Sequence, residues 1–102
     1  MNDLRTLTQF NNCLEFSLKA LSYEHAKRVR VYFGRCSSCL TIMQQNDYFI
    51  CYFKNKVYAL YPLIYPYLLF NEVHTLAFKY GGWETIQIEY FKSTRKELRK
   101  YE

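Results

Sequence analysis

The hydrophobic period of this chain changes near Lys27, and that change limits the possible folds more than any other feature. Leu4, Leu7, Phe10, Leu14, Leu18 and Leu21 recur every three or four residues, which lines them along one stripe of an amphipathic helix over residues 3–22. Asn2 or Asp3 stands where it can cap the start. Beyond Lys27, Val29, Val31 and Phe33 alternate with Arg28, Arg30 and Tyr32, the period of a strand with one buried face. A helix followed by short strands predicts an α+β fold.

Residues 34–38 turn the chain, 39–43 read as the return strand, and 44–47 turn it again. Residues 48–53 form a continuous apolar run that predicts a strand buried on both faces. After a turn at 54–56 comes a strand at 57–61, then a short helix opening near Pro66. Residues 73–80 and 83–91 flank Gly81-Gly82, and the diglycine predicts a hairpin because glycine reaches positive φ at no steric cost. Thr94-Arg95-Lys96-Glu97 has capping-box spacing and opens a last helix. The resulting expectation is an antiparallel or mixed sheet of about five or six strands with N- and C-terminal helices.

An internal repeat is the most suggestive long-range pattern. Residues 28–34 lie over 75–81 with apolar positions coinciding and an aromatic-Gly pair ending both, and 40–42 lie over 84–86. Two similar motifs, about 1–53 and 54–102, would pack around a pseudo-twofold axis, and the seam between them would form a groove. The test of this reading is register: Val29, Val31 and Phe33 should face the core as Leu76, Phe78 and Tyr80 do.

With 102 residues there is room for one domain and one core. Eleven Tyr, eight Phe and one Trp are too many rings for that interior, so some Tyr must lie at the surface, where recognition favours it. Fourteen Lys and Arg against nine Asp and Glu leave a net charge of +5, a moderate excess compatible with an acidic partner or with a plain solvated surface. The opening Met1-Asn2-Asp3-Leu4-Arg5 is polar and predicts no signal peptide, hence a cytoplasmic location. The uncharged stretch 57–70 is shorter than the roughly 20 residues needed to cross a bilayer, and Pro62 and Pro66 interrupt it, so no membrane partner is expected.

Cys36-Ser37-Ser38-Cys39 has the spacing of half a zinc ribbon, but a tetrahedral site needs two more ligands. Cys13, Cys51, His25 and His74 are scattered, so no metal and no cofactor is expected, and free thiols are preferred over a bridge within the turn or between Cys13 and Cys51. Neither His25 nor His74 stands in a nucleophile-base pattern, and Glu84 and Glu89 lie on opposite strand faces, so the chain is read as a non-enzyme.

Lys92, Arg95, Lys96, Arg99 and Lys100 form the densest basic run, read first as a solvated helix end. Lys27, Arg28, Arg30 and Arg35 surround Tyr32, and Arg28, Arg30 and Tyr32 share a strand face that can stack on and neutralise a single strand of nucleic acid. Trp83, at the tip of the expected hairpin, reads as a contact residue.

The Tyr- and Phe-rich, Gly- and Pro-poor, Cys-containing composition resembles the small orphan proteins of viruses of hyperthermophilic archaea, such as the filamentous viruses of Acidianus. The resemblance covers the whole chain and rests on no motif. It implies a thermostable, host-interacting or assembly protein of the host cytoplasm, in which a disulfide would be favoured.

The sequence reading is therefore a non-enzymatic protein-protein interaction module holding a peptide or partner segment in an aromatic groove, through Tyr32, Tyr58, Tyr61, Tyr65, Tyr67, Tyr80 and Trp83. The alternative is a nucleic-acid-binding accessory protein using Arg28, Arg30, Arg35, Lys92, Arg95, Lys96, Arg99 and Lys100.

Overall fold

The computed structural model describes residues 7–23 and 26–92. The chain runs α1 (Leu7–Ser22), β1 (Ala26–Tyr32), β2 (Cys39–Gln45), β3 (Tyr48–Phe53), β4 (Lys56–Pro62), α2 (Pro66–Lys79), a single 3-10 turn (Trp83–Thr85) and β5 (Gln87–Lys92). The strands form one antiparallel sheet in the order β4-β3-β2-β1-β5, an α+β fold with an N-terminal helix. The expected cap at Asn2 or Asp3 and the expected last helix from Thr94 lie outside the described residues.

Both helices pack on the same face of the sheet. Phe10, Leu14, Leu18 and Leu21 of α1 and Leu69, Val73, Leu76 and Ala77 of α2 join Val29, Val31, Leu40, Ile42, Phe49 and Cys51 in one core. From Arg28 to Tyr32 the core-facing Val29 and Val31 alternate with Arg28, Arg30 and Tyr32, which point the other way, as the period of two requires; a bulge before Arg28 lets Ala26 also face the core. β3 departs from the sequence reading. Phe49 and Cys51 are buried, but Tyr48 is exposed and Ile50 and Tyr52 are half-buried, so the strand is covered on one side only. An apolar run can mean two buried faces or one buried face and one open apolar face; with both helices on one side, the second case holds.

The larger correction concerns residues 73–91. Instead of a hairpin, residues 66–79 form one continuous helix, with Pro66 at its first turn where a missing N–H costs nothing. Leu69, Val73, Leu76 and Ala77 satisfy the helical period, and Phe78, which an alternating strand would turn inward, is 88% exposed. The diglycine ends this helix: the Tyr80 N–H donates to the Leu76 carbonyl at 3.0 Å and the Gly82 N–H to the Ala77 carbonyl at 2.7 Å. Gly81 and Gly82 have φ of 120° and 90°, and this Schellman-type closure requires a positive φ just past the helix end. β5 then pairs with β1, at the opposite edge of the sheet from β4. Residues 28–42 and 75–86 are therefore unlike elements, and neither a repeat nor a pseudo-twofold axis is present among the described residues.

No helix among the described residues is long and apolar enough to cross a membrane.

Candidate functional site

The face of the sheet away from the helices is open, and its side chains can be placed row by row from the strand register. Glu89, Arg30, Thr41 and Tyr52 follow one another across β5, β1, β2 and β3, and Val57 of β4 stands opposite Tyr52. In the neighbouring row Phe91 stands opposite Arg28, while Met43, Ile50 and Leu60 continue across β2, β3 and β4. The face thus divides into a basic and aromatic half over β5 and β1 and an apolar half over β2, β3 and β4.

In the basic half the guanidinium carbons of Arg28 and Arg30 lie 4.6 and 5.1 Å from the centroid of the Phe91 ring. Cation–π attraction of this kind holds the two side chains against the sheet instead of leaving them in water. The Arg28 Nε is buried without a hydrogen-bond partner among the described residues, so this group retains an unused donor. The Tyr32 hydroxyl donates to Glu89 Oε2 over a long 3.5 Å. Hydrogen bonding to Tyr32, the largest influence on Arg30, raises its pKa further above an already high value, so its charge is permanent at any physiological pH.

At one end of this face the β1–β2 turn and the β3–β4 turn approach each other around a pocket of about 260 Å³ lined by Arg30, Ser37, Ser38, Thr41, Tyr52 and Lys54. Lys54 and Asn55 have φ of 54° and 64° and form the two-residue turn that joins the paired residues Phe53 and Lys56.

A larger groove of about 810 Å³ opens on the other side of the molecule, between α1, α2 and the segment following β4, with Leu18, Phe49, Leu63, Ile64, Tyr67 and Phe70 among its walls. His74 lies along it, its Nε2 2.8 Å from Asn11 Oδ1 and its ring edge-on to Phe10 at 5.0 Å. This histidine links the two helices. His25 lies outside the described residues.

The seven aromatic residues read as one peptide groove are not brought together. Tyr32 is on the open sheet face. Tyr58 and Tyr61 of β4 approach Glu72 of α2, the Tyr58 hydroxyl donating to Glu72 Oε1 at 2.5 Å. That bond pushes Tyr58 up to about 12, and burial followed by the nearby Glu72 charge does the same for Tyr61. Tyr65 precedes the first residue of α2 without a side-chain capping bond, and Tyr67 alone of the seven lines the interhelical groove. Tyr80 packs at a tilt against Phe33 and Phe53, with ring centroids 5.9 and 6.1 Å away. Trp83, expected at an exposed tip, is half-buried against the core in the 3-10 turn.

Of the basic set, Arg28 and Arg30 lie together on the Phe91 ring. Arg35 is exposed in the β1–β2 turn, pinned by its N–H to the Tyr80 carbonyl at 3.1 Å, and lies along Gly81, away from the pair. Lys92 ends β5, and Arg95, Lys96, Arg99 and Lys100 lie outside the described residues. Phe91, Tyr52, Thr41 and Lys54 were not singled out from sequence. Alternation along residues 87–91 would have put Phe91 on the same side as Glu89, but only pairing with β1 brings it under the arginines.

Cys36 packs toward the core while the Cys39 Sγ lies 3.8 Å from Thr41 Oγ1 on the open face, so the two do not converge as ligands or as a bridge. Cys51 is a free, buried thiol, which excludes the Cys13–Cys51 bridge, and burial pushes its pKa up to about 12. Among the described residues no three His, Cys, Asp or Glu side chains come together. Comparison with known protein families, with curated proteins and with solved structures finds no match to this chain.

Proposed function

We propose that this protein binds single-stranded nucleic acid across the open face of its sheet. One observation carries the reading: two permanently charged guanidiniums stacked on an aromatic ring, on a sheet face that no described element covers. Unpaired bases stack on aromatic rings and on guanidinium planes without regard to sequence, and neighbouring cations neutralise the phosphates between them. An antiparallel sheet presents such groups at strand spacing. Glu89 beside Arg30 opposes polyanion binding locally, so the contribution of the pair depends on Arg28 together with Arg30 and not on either alone.

The test is fluorescence anisotropy with labelled single- and double-stranded DNA of equal length over a salt series. The expected outcome is preference for the single strand, a linear fall of log K with log salt at about 0.7 per phosphate neutralised, and a loss of about 1–3 kcal/mol on Phe91→Ala. Equal weak binding of both forms, unchanged by that substitution, would overturn the reading.

A second reading keeps the protein partner foreseen from sequence and moves it to the interhelical groove. Ile64 and Tyr67, 79% and 73% exposed, are large apolar side chains on its rim, and such patches favour an amphipathic peptide. Ile64→Asp would abolish capture of that partner and leave DNA binding unchanged.

A further inference from the structure

The pocket between the two turns has a composition that differs from every other concavity described. Its lining comprises two cationic residues, Arg30 and Lys54, the hydroxyl-bearing Ser37, Ser38, Thr41 and Tyr52, and Cys39 and Asn55, and includes no carboxylate. A pocket edged by hydroxyl and cationic donors and free of carboxylates suits an anion, since phosphoryl oxygens take several such donors at once. The carboxylate paired with the arginine is Glu89 on β5, on the side of β1 away from the pocket, where it accepts from Tyr32.

The backbone explains why these groups meet. Arg30, Thr41 and Tyr52 are consecutive in one row across β1, β2 and β3, so the sheet spaces them at a strand's width. The serines come from the turn that joins β1 to β2, and Lys54 from the two-residue turn that joins β3 to β4, whose left-handed geometry places it at the end of the same sheet. Lys54 Nζ lies 5.7 Å from the Phe53 ring centroid, and its side chain is exposed, so swinging it over the pocket costs only rotamer freedom.

We propose that this pocket binds a phosphoryl group of the strand that crosses the open face, with Arg30 shared between the stacked platform on Phe91 and the phosphate. This rests on the nucleic-acid reading for the identity of the phosphate's carrier. A volume of about 260 Å³ exceeds a bare phosphate, leaving space for the attached sugar. The phosphate can belong to the running backbone or to a strand end, and the chemistry of recognition is the same.

Two measurements on the full chain separate the possibilities. In the first, amide shifts are followed by NMR while inorganic phosphate is added, with chloride at matched ionic strength as reference. Saturable shifts confined to residues 37–41 and 52–55, lost in Lys54→Gln, support the pocket; shifts spread over all basic residues overturn it. In the second, anisotropy is measured with a single-stranded oligonucleotide with and without a 5′-phosphate. Lys54→Gln should weaken binding about 3- to 10-fold and reduce the salt slope by about 0.7, the amount expected for one phosphate contact, while an unchanged slope overturns the assignment. A preference for the phosphorylated end that disappears in Lys54→Gln assigns a terminal phosphate; equal binding of both oligonucleotides with the reduced slope assigns the backbone. Localised shifts with inorganic phosphate in a protein that binds neither oligonucleotide would overturn the nucleic-acid reading and support an anion pocket for another phosphate carrier. A second variant, Ser38→Ala, checks the fold, since it removes a turn hydroxyl without touching the core and should lower phosphate affinity with an unchanged melting temperature.

Discussion

The same five strands present two faces with opposite fates. Toward the helices, Val29, Val31, Leu40, Ile42 and Cys51 are fully buried, whereas on the reverse side Tyr48, Val57 and Leu60 are 48%, 61% and 56% exposed. Neighbouring residues on one strand therefore answer to different constraints: the covered face is constrained by packing density, the open one by solubility and by whatever it contacts. A protein of this size needs one good core, and two helices on one side supply it. That leaves the other side free to carry arginines on an aromatic ring.

The largest contrast should appear in thiol chemistry. Cys51, buried with its pKa at about 12, should react with iodoacetamide at pH 8 only when the fold opens, more than about 10³-fold slower than Cys39 if opening costs the usual 5 kcal/mol or more. Peptide mapping by mass spectrometry over time measures both rates, and comparable rates would break the division between the faces. Next in size, Phe10→Ala removes a fully buried ring and should cost about 3–5 kcal/mol in urea unfolding.

Gly34→Ala tests how firmly the β1–β2 turn is held against the 3-10 turn. An added Cβ would stand 2.4 Å from Thr85 Cβ, so the turn or the 3-10 segment must shift, at a cost of about 1–3 kcal/mol. Because Thr85 Oγ1 would also stand at 2.7 Å, Thr85→Ala should recover part of the loss in the double variant and Thr85→Gly, which removes the Cβ too, should relieve more of the clash.

A smaller effect separates β4 from ordinary surface. Tyr58 and Tyr61 release their protons near 12 in the folded chain against about 10 when unfolded, so the folded state holds more protons in that interval. Their stabilisation is fully present below pH 10 and is lost as pH rises from there through 12. Ultraviolet titration should show a late tyrosinate step whose amplitude falls in Tyr58→Phe. Smallest of all on stability, Arg28→Gln with Arg30→Gln should change unfolding by less than about 1 kcal/mol, because neither side chain belongs to the core. Oligonucleotide affinity should nevertheless fall at least 10-fold. Loss of both together would place the arginines with the fold and not with a site.

The first half of the molecule was legible because each segment matched only one period. Leu14, Leu18 and Leu21 cannot share a strand face, and Val29, Val31 and Phe33 cannot share a helix stripe. Residues 73–80 matched both: Val73, Leu76 and Ala77 fit the helix, and Leu76, Phe78 and Tyr80 fit the strand. The diglycine was equally ambiguous, since a positive φ serves a hairpin turn and a helix end alike. The illusion of a repeat came from this degeneracy. In the candidate site, Arg28 and Arg30 on one face followed from alternation, but Phe91 and Lys54 lie dozens of residues away in sequence.

What the sequence determined by itself was local: where the period changes, where turns fall, which side chains of β1 alternate, and that rings outnumber the places inside. Those are properties of neighbouring residues, set by backbone geometry and side-chain direction. Only the tertiary structure decided that residues 66–79 run as a single helix, because Phe78 could be left in solvent once α2 had Leu69, Val73, Leu76 and Ala77 to bury. Only it decided that β5 lies beside β1, and so that Phe91 meets two arginines and that two turns enclose a cationic pocket. Strand pairing at long range depends on which edges and faces remain after the core is closed, and no periodicity in the chain records that choice.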